Sequence, residues 1–591
     1  MGVETVKEDG LELKLNSNLF KKVRLELVLI VIFAVILLKF ISVFDGGLLA
    51  HPAPYNHLAG DMFNIDVYAD FVKYENDLTT LPFYLTQGIK NVVNIFSMTG
   101  PIITAQLSQF TGIESYDFTM HISLLFIILS TAIIYIFLRK IDSKLALLSL
   151  PLSLLVFKWP FQYAITWGMH MSNVNMIFIV VSLSCLFYLD KKYIFIVLGI
   201  MNGAGFLSHA RETLMFNTGV ALYFLVRLIK EKILINLVKN PANSKNYLEE
   251  NTTVKSLKNY IYSIPVMLIF MYRYFPILDS FLYRKSTTLL YGTNQLFAYL
   301  PQTKTVSPNI FHHVFFPNFL FYQYILIIGI VAALYFLIFK NNRTADIILS
   351  FSIMILANGF FSILGNKTAQ IRHLWPVLLI PLAGLSLYVL NSFIKRSIKE
   401  KYSGLLLTGL FLGAIIMTAV YFTPEPTSDY PFSDPYTWDA IKWIRSNVEN
   451  NAKTLILYGD RHGQETMFYL TLKNQFRTNR EKYFEQISSK KVSSMVVTQG
   501  VILGEFYVRV NNTIIEKDRT IFSNVRESLC DYDYVYSDKY SQVQQVQTYT
   551  IKVLEKLINE NKFVPVYQND LVVILKNNNV GGVCFKDEVL L

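Results

Sequence analysis

The stretch VRLELVLIVIFAVILLKFISVF occupies residues 23–44 and is the first of a series of apolar segments that decide the fold. A helix needs about 20 apolar residues to cross the hydrocarbon core of a bilayer, and this stretch meets that length. It has no evident small-residue cleavage site and is longer than the core of a signal peptide. We therefore expect a retained transmembrane span.

The composition of the whole chain agrees with this reading. Of 591 residues, 52% are apolar and only 16% are charged, and the mean hydropathy is +0.36. These values are typical of a polytopic membrane protein. The net charge of +11 comes from short basic clusters between apolar segments. That distribution is a topology signal and does not indicate a nucleic-acid partner.

Ten further apolar segments follow the first, which predicts about eleven transmembrane helices. They lie at 119–138, 144–158, 169–189, 193–209, 212–229, 258–278, 319–339, 345–364, 373–393 and 403–422.

Basic residues collect in every second connection between these segments. The clusters are Lys21-Lys22 with Arg24, Arg139-Lys140 with Lys144, Lys191-Lys192, Arg227 to Lys258, Lys340 with Arg343, and Lys395-Arg396 with Lys399 and Lys401. Because cytoplasmic loops carry the excess of Lys and Arg, we expect a multi-pass cell-membrane protein whose N-terminus is cytoplasmic. The 45–118 loop, the 279–318 loop and everything after Phe422 are then extracytoplasmic.

The first outer loop, 45–118, shows helical spacing of apolar residues. The pattern predicts helices over Asp61 to Glu75 and Thr86 to Phe96, and a third amphipathic piece that begins at Pro101. We expect these helices to lie in the interface plane along the membrane face.

Beyond Phe422 the composition changes, and we divide the chain into a membrane module at 1–422 and an outer α/β domain at 423–591. The domain is predicted to begin with a helix over Trp438 to Glu449 and to have a second helix over Ile551 to Asn559. Strands are predicted over Thr454 to Tyr458, Val492 to Thr498, Phe506 to Val510, Tyr534 to Ser537 and Leu571 to Leu575. A bridge between Cys530 and Cys584 is one option if this domain faces an oxidising compartment.

The stretch Gly60 to Tyr68 places two carboxylates, Asp61 and Asp66, in the first outer loop. A carboxylate near an acceptor hydroxyl without a salt-bridge partner suits a general base. The alternative for Asp61 is a structural helix cap. The two residues would share a site only if Asp61 precedes the helix, and in that case they could also hold a divalent metal.

Several cationic side chains sit at the predicted outer ends of spans. They are His209, Arg211, Lys367, Arg372 and His373. Cations beside a membrane-surface cavity suit a phosphate, and Arg can grip one with two hydrogen bonds. The alternative is that such side chains extend to lipid headgroups. Arg211 and Arg372 are our first candidates, since each adjoins a span on the side opposite to the basic clusters.

The layout resembles the GT-C superfamily of integral-membrane glycosyltransferases, which includes the protein O-mannosyltransferases and the aminoarabinose transferases. Asp61 to Tyr68 is similar to the acidic motif that follows the first span there. Gly203 to Glu212 resembles a Gly-rich span that ends in a Thr-Arg or Thr-Lys turn, and Arg372 to Pro381 resembles an Arg-Tyr-x-x-Pro-x-x-x-x-Pro segment. Trp438 to Asn447 with the strand after it resembles the start of many outer domains in the family.

The resemblance implies an inverting glycosyltransferase, of the EC 2.4 class, that moves a sugar from a polyprenyl-phosphate donor to a lipid, glycan or protein acceptor on the outer side. In that scheme Asp61 is the base, with Asp66 as its substitute, and Arg372 and Arg211 contact the carrier phosphate. His209, His373 and Lys367 would complete the phosphate site.

Two other classes of function remain open from the sequence. One is a polytopic transporter or flippase of lipid-linked glycans, for which broken spans and ionisable residues at mid-membrane are typical. The other is a noncatalytic scaffold whose outer domain binds a surface partner.

Overall fold

The structure is a computed structural model of the chain. It describes residues 60–75, 78–86, 90–94, 98–141, 143–150, 170–237, 250–272, 434–457, 468–478, 480–489, 491–492, 495–498, 506–510, 513–517, 523–539, 544–578, 580–581 and 588–589, together with a few positions in 27–34, 331–354, 384 and 409–416. The predicted spans at 23–44, 319–339, 345–364, 373–393 and 403–422 therefore lie largely outside the described residues, and the total of about eleven stays a prediction.

Helices occupy the predicted spans that the structure does describe. They are α4 (Ser115–Ile141), α5 (Ser143–Ser149), α6 (His170–Leu186), α7 (Ile194–Leu237) and α8 (Glu250–Met271). Among the described residues, two segments are long and apolar enough to cross a membrane, Ser115–Arg139 and Glu212–Lys230. Met171–Leu186 and Ile194–Ala210 are shorter apolar helices.

Helix α7 is a helical hairpin with its turn at His209. The backbone there leaves the helical region, with φ −152° and ψ 86°. Asn202 Nδ2 lies 3.3 Å from Asn217 Oδ1. Fifteen residues of straight helix would hold these positions about 22 Å apart, so the two halves fold back on each other. The tight turn predicted at residues 209–212 is confirmed.

In the described part of the loop predicted at 45–118, the helices are α1 (Gly60–Tyr74), α2 (Phe83–Thr86) and α3 (Thr99–Thr111). The predicted helix over Thr86 to Phe96 is wrong, because the described residues 90–94 are not helical and Val93 bridges to Thr80. Asn91 also has φ 59°, which a right-handed helix does not contain.

The interfacial placement expected for α1 is also wrong. Every residue from Phe63 to Phe71 is buried inside the protein, on all sides of the helix. Amphipathic spacing shows that one face of a helix is apolar but does not show what covers that face. Here the cover is α3, α4 and the C-terminal unit.

The C-terminal unit is an α/β fold around a mixed seven-stranded sheet. Its helices are α9 (Pro435–Asn447), α10 (Arg480–Ser489) and α11 (Gln544–Asn559). The sheet order is β7-β4-β2-β1-β8-β10-β9, with β2, β1 and β8 parallel and the outer strands antiparallel. The sheet strands are β1 (Lys453–Ile456), β2 (Asn474–Thr478), β4 (Met495–Thr498), β7 (Ser523–Glu527), β8 (Tyr534–Asp538), β9 (Phe563–Gln568) and β10 (Val572–Asn577).

Four short strands form two small additional sheets. Strand β3 (Lys491–Val492) pairs with β11 (Glu588–Val589), and β5 (Phe506–Val510) pairs with β6 (Thr513–Lys517) in a hairpin. Two 3₁₀ turns, Phe468–Thr471 and Leu529–Asp531, complete the unit. Most helices and strands predicted for this unit are found within a few residues at their ends. The helix predicted from Ile551 begins earlier, at Gln544, and the single strand predicted over Val492 to Thr498 is wrong, because β3 and β4 lie in different sheets.

The sheet has a hydrophobic core on each face. One core joins it to α10 and α11 through residues such as Phe476, Tyr483 and Val553. The other core joins it to α9 and also to α1, with Phe63, Val67, Tyr68 and Phe71 packed in one cluster with Trp438, Ile441 and Ile574. The first outer loop thus shares a core with the C-terminal unit.

Candidate functional site

Helix α1 carries both predicted carboxylates. Asp61 is the second residue of the helix and Asp66 lies in its middle. The structure describes only the backbone of Asp61, which stands in the first turn, where a carboxylate is favoured by the helix dipole. A spacing of five residues places the two positions about 140° apart around the helix axis.

This separation matters for the divalent-metal site that the sequence suggested for Asp61 and Asp66. That site required Asp61 to precede the helix, and the helix instead includes it. Within the described residues, no group of three or more His, Cys, Asp or Glu side chains is placed to hold a metal ion. Because the Asp61 side chain lies outside the described part of the structure, a shared metal site at Asp61 and Asp66 stays a prediction, and we derive no step through one.

Asp66 and Asp70 are both fully buried on one side of α1. Their accessible surface is 0% in each case, and a spacing of four residues places them on the same helix face. Arg445, in the last turn of α9, donates from Nη1 to Asp70 Oδ2 at 2.8 Å. The helix that carries Asp66 is thereby fixed by an ion pair to the C-terminal unit.

Burial dominates the electrostatics of Asp70. It raises the pKa of the Asp70 carboxyl above its ordinary value, and the neighbouring Arg445 guanidinium offsets only part of that effect. At the edge of this cluster, Lys73 Nζ lies 3.5 Å from a carboxylate oxygen of Glu114. The surroundings of α1 thus combine a dry interior with charges of both signs.

The turn at His209 holds a second buried polar cluster. Asn175, on α6, donates from Nδ2 to Glu212 Oε2 at 2.9 Å, and its Oδ1 accepts from the hydroxyl of Thr213 at 3.3 Å. Asn175, Glu212 and Thr213 are each exposed by no more than 1%. The His209 ring is partly exposed, and its Nδ1 lies 3.8 Å from Glu212 Oε1.

The positions of His209 and Glu212 follow the spacing of a capping box. His209 is the non-helical residue at the break, and its Nδ1 accepts from the backbone N–H of Glu212 three residues later at 3.4 Å. In a capping box the N-cap side chain accepts from the N3 backbone and an acidic N3 side chain reaches back. The sequence His-Ala-Arg-Glu therefore forms the turn and starts the second half of α7.

The structure describes only part of the remaining phosphate-site candidates. The backbone of Arg211 lies in α7 directly after the break, and its side chain is outside the described part of the structure. Lys367, Arg372 and His373 lie outside the described residues altogether. Whether these cations face α1 stays a prediction.

Sequence reasoning missed Asp70, Asn175 and Glu212. The four-residue spacing of Asp70 from Asp66 was a usable signal, as was the spacing of Glu212 from His209. Asn175 carried no such signal, since its contacts are with residues more than thirty positions away.

Comparison with known proteins leaves the family open. No protein-family model matches the chain, and no curated protein matches it. The fold is similar to the crystal structure of the oligosaccharyltransferase of Archaeoglobus fulgidus in complex with zinc and sulfate. That similarity has a TM-score of 0.48 and 11% sequence identity, over 93% of this chain and 88% of the other. At this level the comparison describes a likeness between two chains and assigns no family.

Proposed function

We propose that the protein is an integral-membrane glycosyltransferase with a GT-C-like fold. It moves a sugar from a polyprenyl-phosphate donor to an acceptor on the extracytoplasmic side. The observation that supports this best is the place of α1, because a helix bearing buried carboxylates lies between the membrane helices and the α/β unit. Junctions between structural units are preferred locations for ligand sites.

Ionisable groups that are buried at such a junction indicate a functional role. A buried carboxylate costs folding free energy unless it is well paired. Asp70 is accounted for by Arg445. Asp66 lies one turn earlier, also with no solvent exposure, and buried acids are candidates for functional sites.

The proposed reaction is a single displacement at the anomeric carbon. The acceptor hydroxyl oxygen bonds to that carbon from the face opposite to the carrier, the bond to the phosphate oxygen breaks, and the hydroxyl proton passes to the carboxylate. We assign this base to Asp61, with Asp66 as the substitute. Arg211 and Arg372, with His209, His373 and Lys367 nearby, take the negative charge that develops on the carrier phosphate.

The test uses the full chain in detergent or liposomes with lipid-linked sugars extracted from native membranes. Asp61→Asn is expected to abolish sugar transfer while the melting temperature stays at the wild-type value. The matched variant Asp66→Asn distinguishes the two acids, because only the base should give complete loss. Normal donor consumption by both variants would refute the proposed mechanism.

The phosphate contacts are tested separately. Arg372→Ala and Arg211→Ala are expected to raise the KM for the donor. An unchanged dependence on donor concentration would remove the residue concerned from the site.

One observation favours a second candidate, a transporter or flippase of lipid-linked glycans. The ionisable Glu212 is buried at the turn where two apolar segments meet, and ionisable residues within membrane helices often mark transport pathways. Reconstituted liposomes discriminate between the two. Movement of a fluorescent polyprenyl-phosphate glycan across the bilayer, without any transfer to an acceptor, would favour the transporter.

A further inference from the structure

Buried asparagines in the described part of the chain are almost all hydrogen-bonded. Asn94 Nδ2 donates to the Leu78 carbonyl at 2.9 Å, and Asn175, Asn202 and Asn577 bond to Glu212, Asn217 and two backbone carbonyls, respectively. Asn173 is also engaged. This is the usual state of a buried amide, because an unpaired one costs free energy of folding.

Asn64, on α1, is the exception among these described asparagines. Its side chain is 8% exposed, and its Oδ1 is shielded from solvent and accepts no hydrogen bond. The residue lies three positions after Asp61 in the same helix, and positions three apart are neighbours on a helix surface. An unpaired amide oxygen thus lies one helical turn from Asp61, to which we assign the role of the base.

We propose that Asn64 is a substrate-contacting residue, whose amide oxygen accepts a hydrogen bond from a hydroxyl group of the sugar donor or of the acceptor. This inference rests on the proposed function. An acceptor that is unpaired in the free protein gains its partner when the substrate arrives, so the cost of burying it is recovered in the complex. Rotation about χ2 is soft in asparagine, and the amide can turn its oxygen toward a hydroxyl beside it.

The decisive variant is Asn64→Leu, which keeps the size of the side chain and removes its polar atoms. In the full chain its melting temperature is expected to equal or exceed that of the wild type, because an unpaired buried group is removed. Its kcat/KM for transfer from extracted lipid-linked sugars is expected to fall about tenfold, which corresponds to one lost hydrogen bond.

Asn94→Leu is the matched control in the same loop. Asn94 is also buried, at 3% exposure, but its amide is bonded to the Leu78 carbonyl. This variant is expected to lower the melting temperature, since it removes the hydrogen bond to that carbonyl. The opposite behaviour of the two asparagines separates a ligand contact from a structural one.

The KM values also identify which substrate carries the hydroxyl group that Asn64 contacts. A rise confined to the donor KM places the hydroxyl on the donor sugar, and a rise confined to the acceptor KM places it on the acceptor. Asn64→Leu with unchanged kcat/KM, or with a melting temperature that falls as in Asn94→Leu, overturns the inference. Absence of transfer by the wild-type protein would instead refute the proposed function.

Discussion

Arg445 and Asp70 form an ion pair across 375 residues of sequence, with Nη1 and Oδ2 separated by 2.8 Å. Asp70 is fully buried, whereas the Arg445 side chain keeps 21% of its surface accessible. The pair connects the acidic helix of the first outer loop to the first helix of the C-terminal unit. Because its two members differ in burial, their removal should have unequal consequences.

We expect Arg445→Met to destabilise the protein by about 3–5 kcal/mol, because it leaves a buried carboxylate without its counter-charge. Asp70→Asn should cost less, since the neutral amide needs no counter-charge and Arg445 can reach water. Denaturant unfolding followed by the fluorescence of Trp438 and Trp443 in α9 measures both effects. The double variant should be less than additive, and strict additivity would contradict the coupling.

The same carboxyl predicts a pH dependence of stability. Burial raises the pKa of Asp70 above the ordinary value of 3.8 in the folded state. Between the two pKa values the folded state binds more protons than the unfolded state, so stability falls as pH rises. Relative to Asp70→Asn, the wild type should lose stability from about pH 4 up to the raised pKa. Unfolding of both proteins at several pH values checks the sign, and parallel curves would refute it.

Local patterns predicted much of this fold because the relevant signals are local. The buried strands around Leu455 and Val535, and the helix that begins after Asp434, could be predicted from a few adjacent residues. Strand β2 (Asn474–Thr478) was missed, because its polar sequence becomes a strand through pairing with β1 and β4. Strand β9 contains Pro565, which disfavours a strand except at an edge, and β9 is at the edge of the sheet.

The candidate site was less predictable, because it depends on contacts between residues that are far apart in the sequence. The carboxylates could be singled out from their position after the first span, but the burial of α1 depends on residues that follow more than 350 positions later. An apolar stripe fits a membrane surface and a protein core equally well. Asp70 and Arg445 each look like ordinary surface charges until the two units are brought together.

Gly205 is expected to tolerate no side chain, because it lies at the crossing of α6 with the two halves of α7. A Cβ at this position would lie 2.7 Å from Thr213 Oγ1 and 3.0 Å from Asn175 Oδ1. We expect Gly205→Ala to cost about 1–3 kcal/mol through overpacking. Gly413→Ala is the control, since a Cβ there meets no atom within 4 Å. Equal melting temperatures for the two variants would contradict the close packing.

The bond between Asn175 and Glu212 is expected to hold the turn at His209. Asn175→Leu leaves the buried Glu212 carboxylate without its amide donor and should cost about 1–3 kcal/mol or more. Combining it with Glu212→Leu should restore part of the stability, because no buried charge remains. Thermal unfolding of the two single variants and the double variant tests this order. A double variant less stable than both single variants would contradict this explanation of the stability loss.

Cys530 is disulfide-bonded, whereas Cys185 is a free thiol, and Cys584 lies outside the described residues. A disulfide limits the unfolded chain, and loss of a native one typically costs about 2–5 kcal/mol. A reducing agent is therefore expected to lower the melting temperature of the wild type and of Cys185→Ser. It should leave Cys530→Ser, already destabilised, unchanged. A wild-type melting temperature insensitive to reductant, under conditions in which free thiols are shown to form, would rule out a stabilising bridge. Since disulfides persist in oxidising compartments, the result also tests the extracytoplasmic placement proposed for the C-terminal unit.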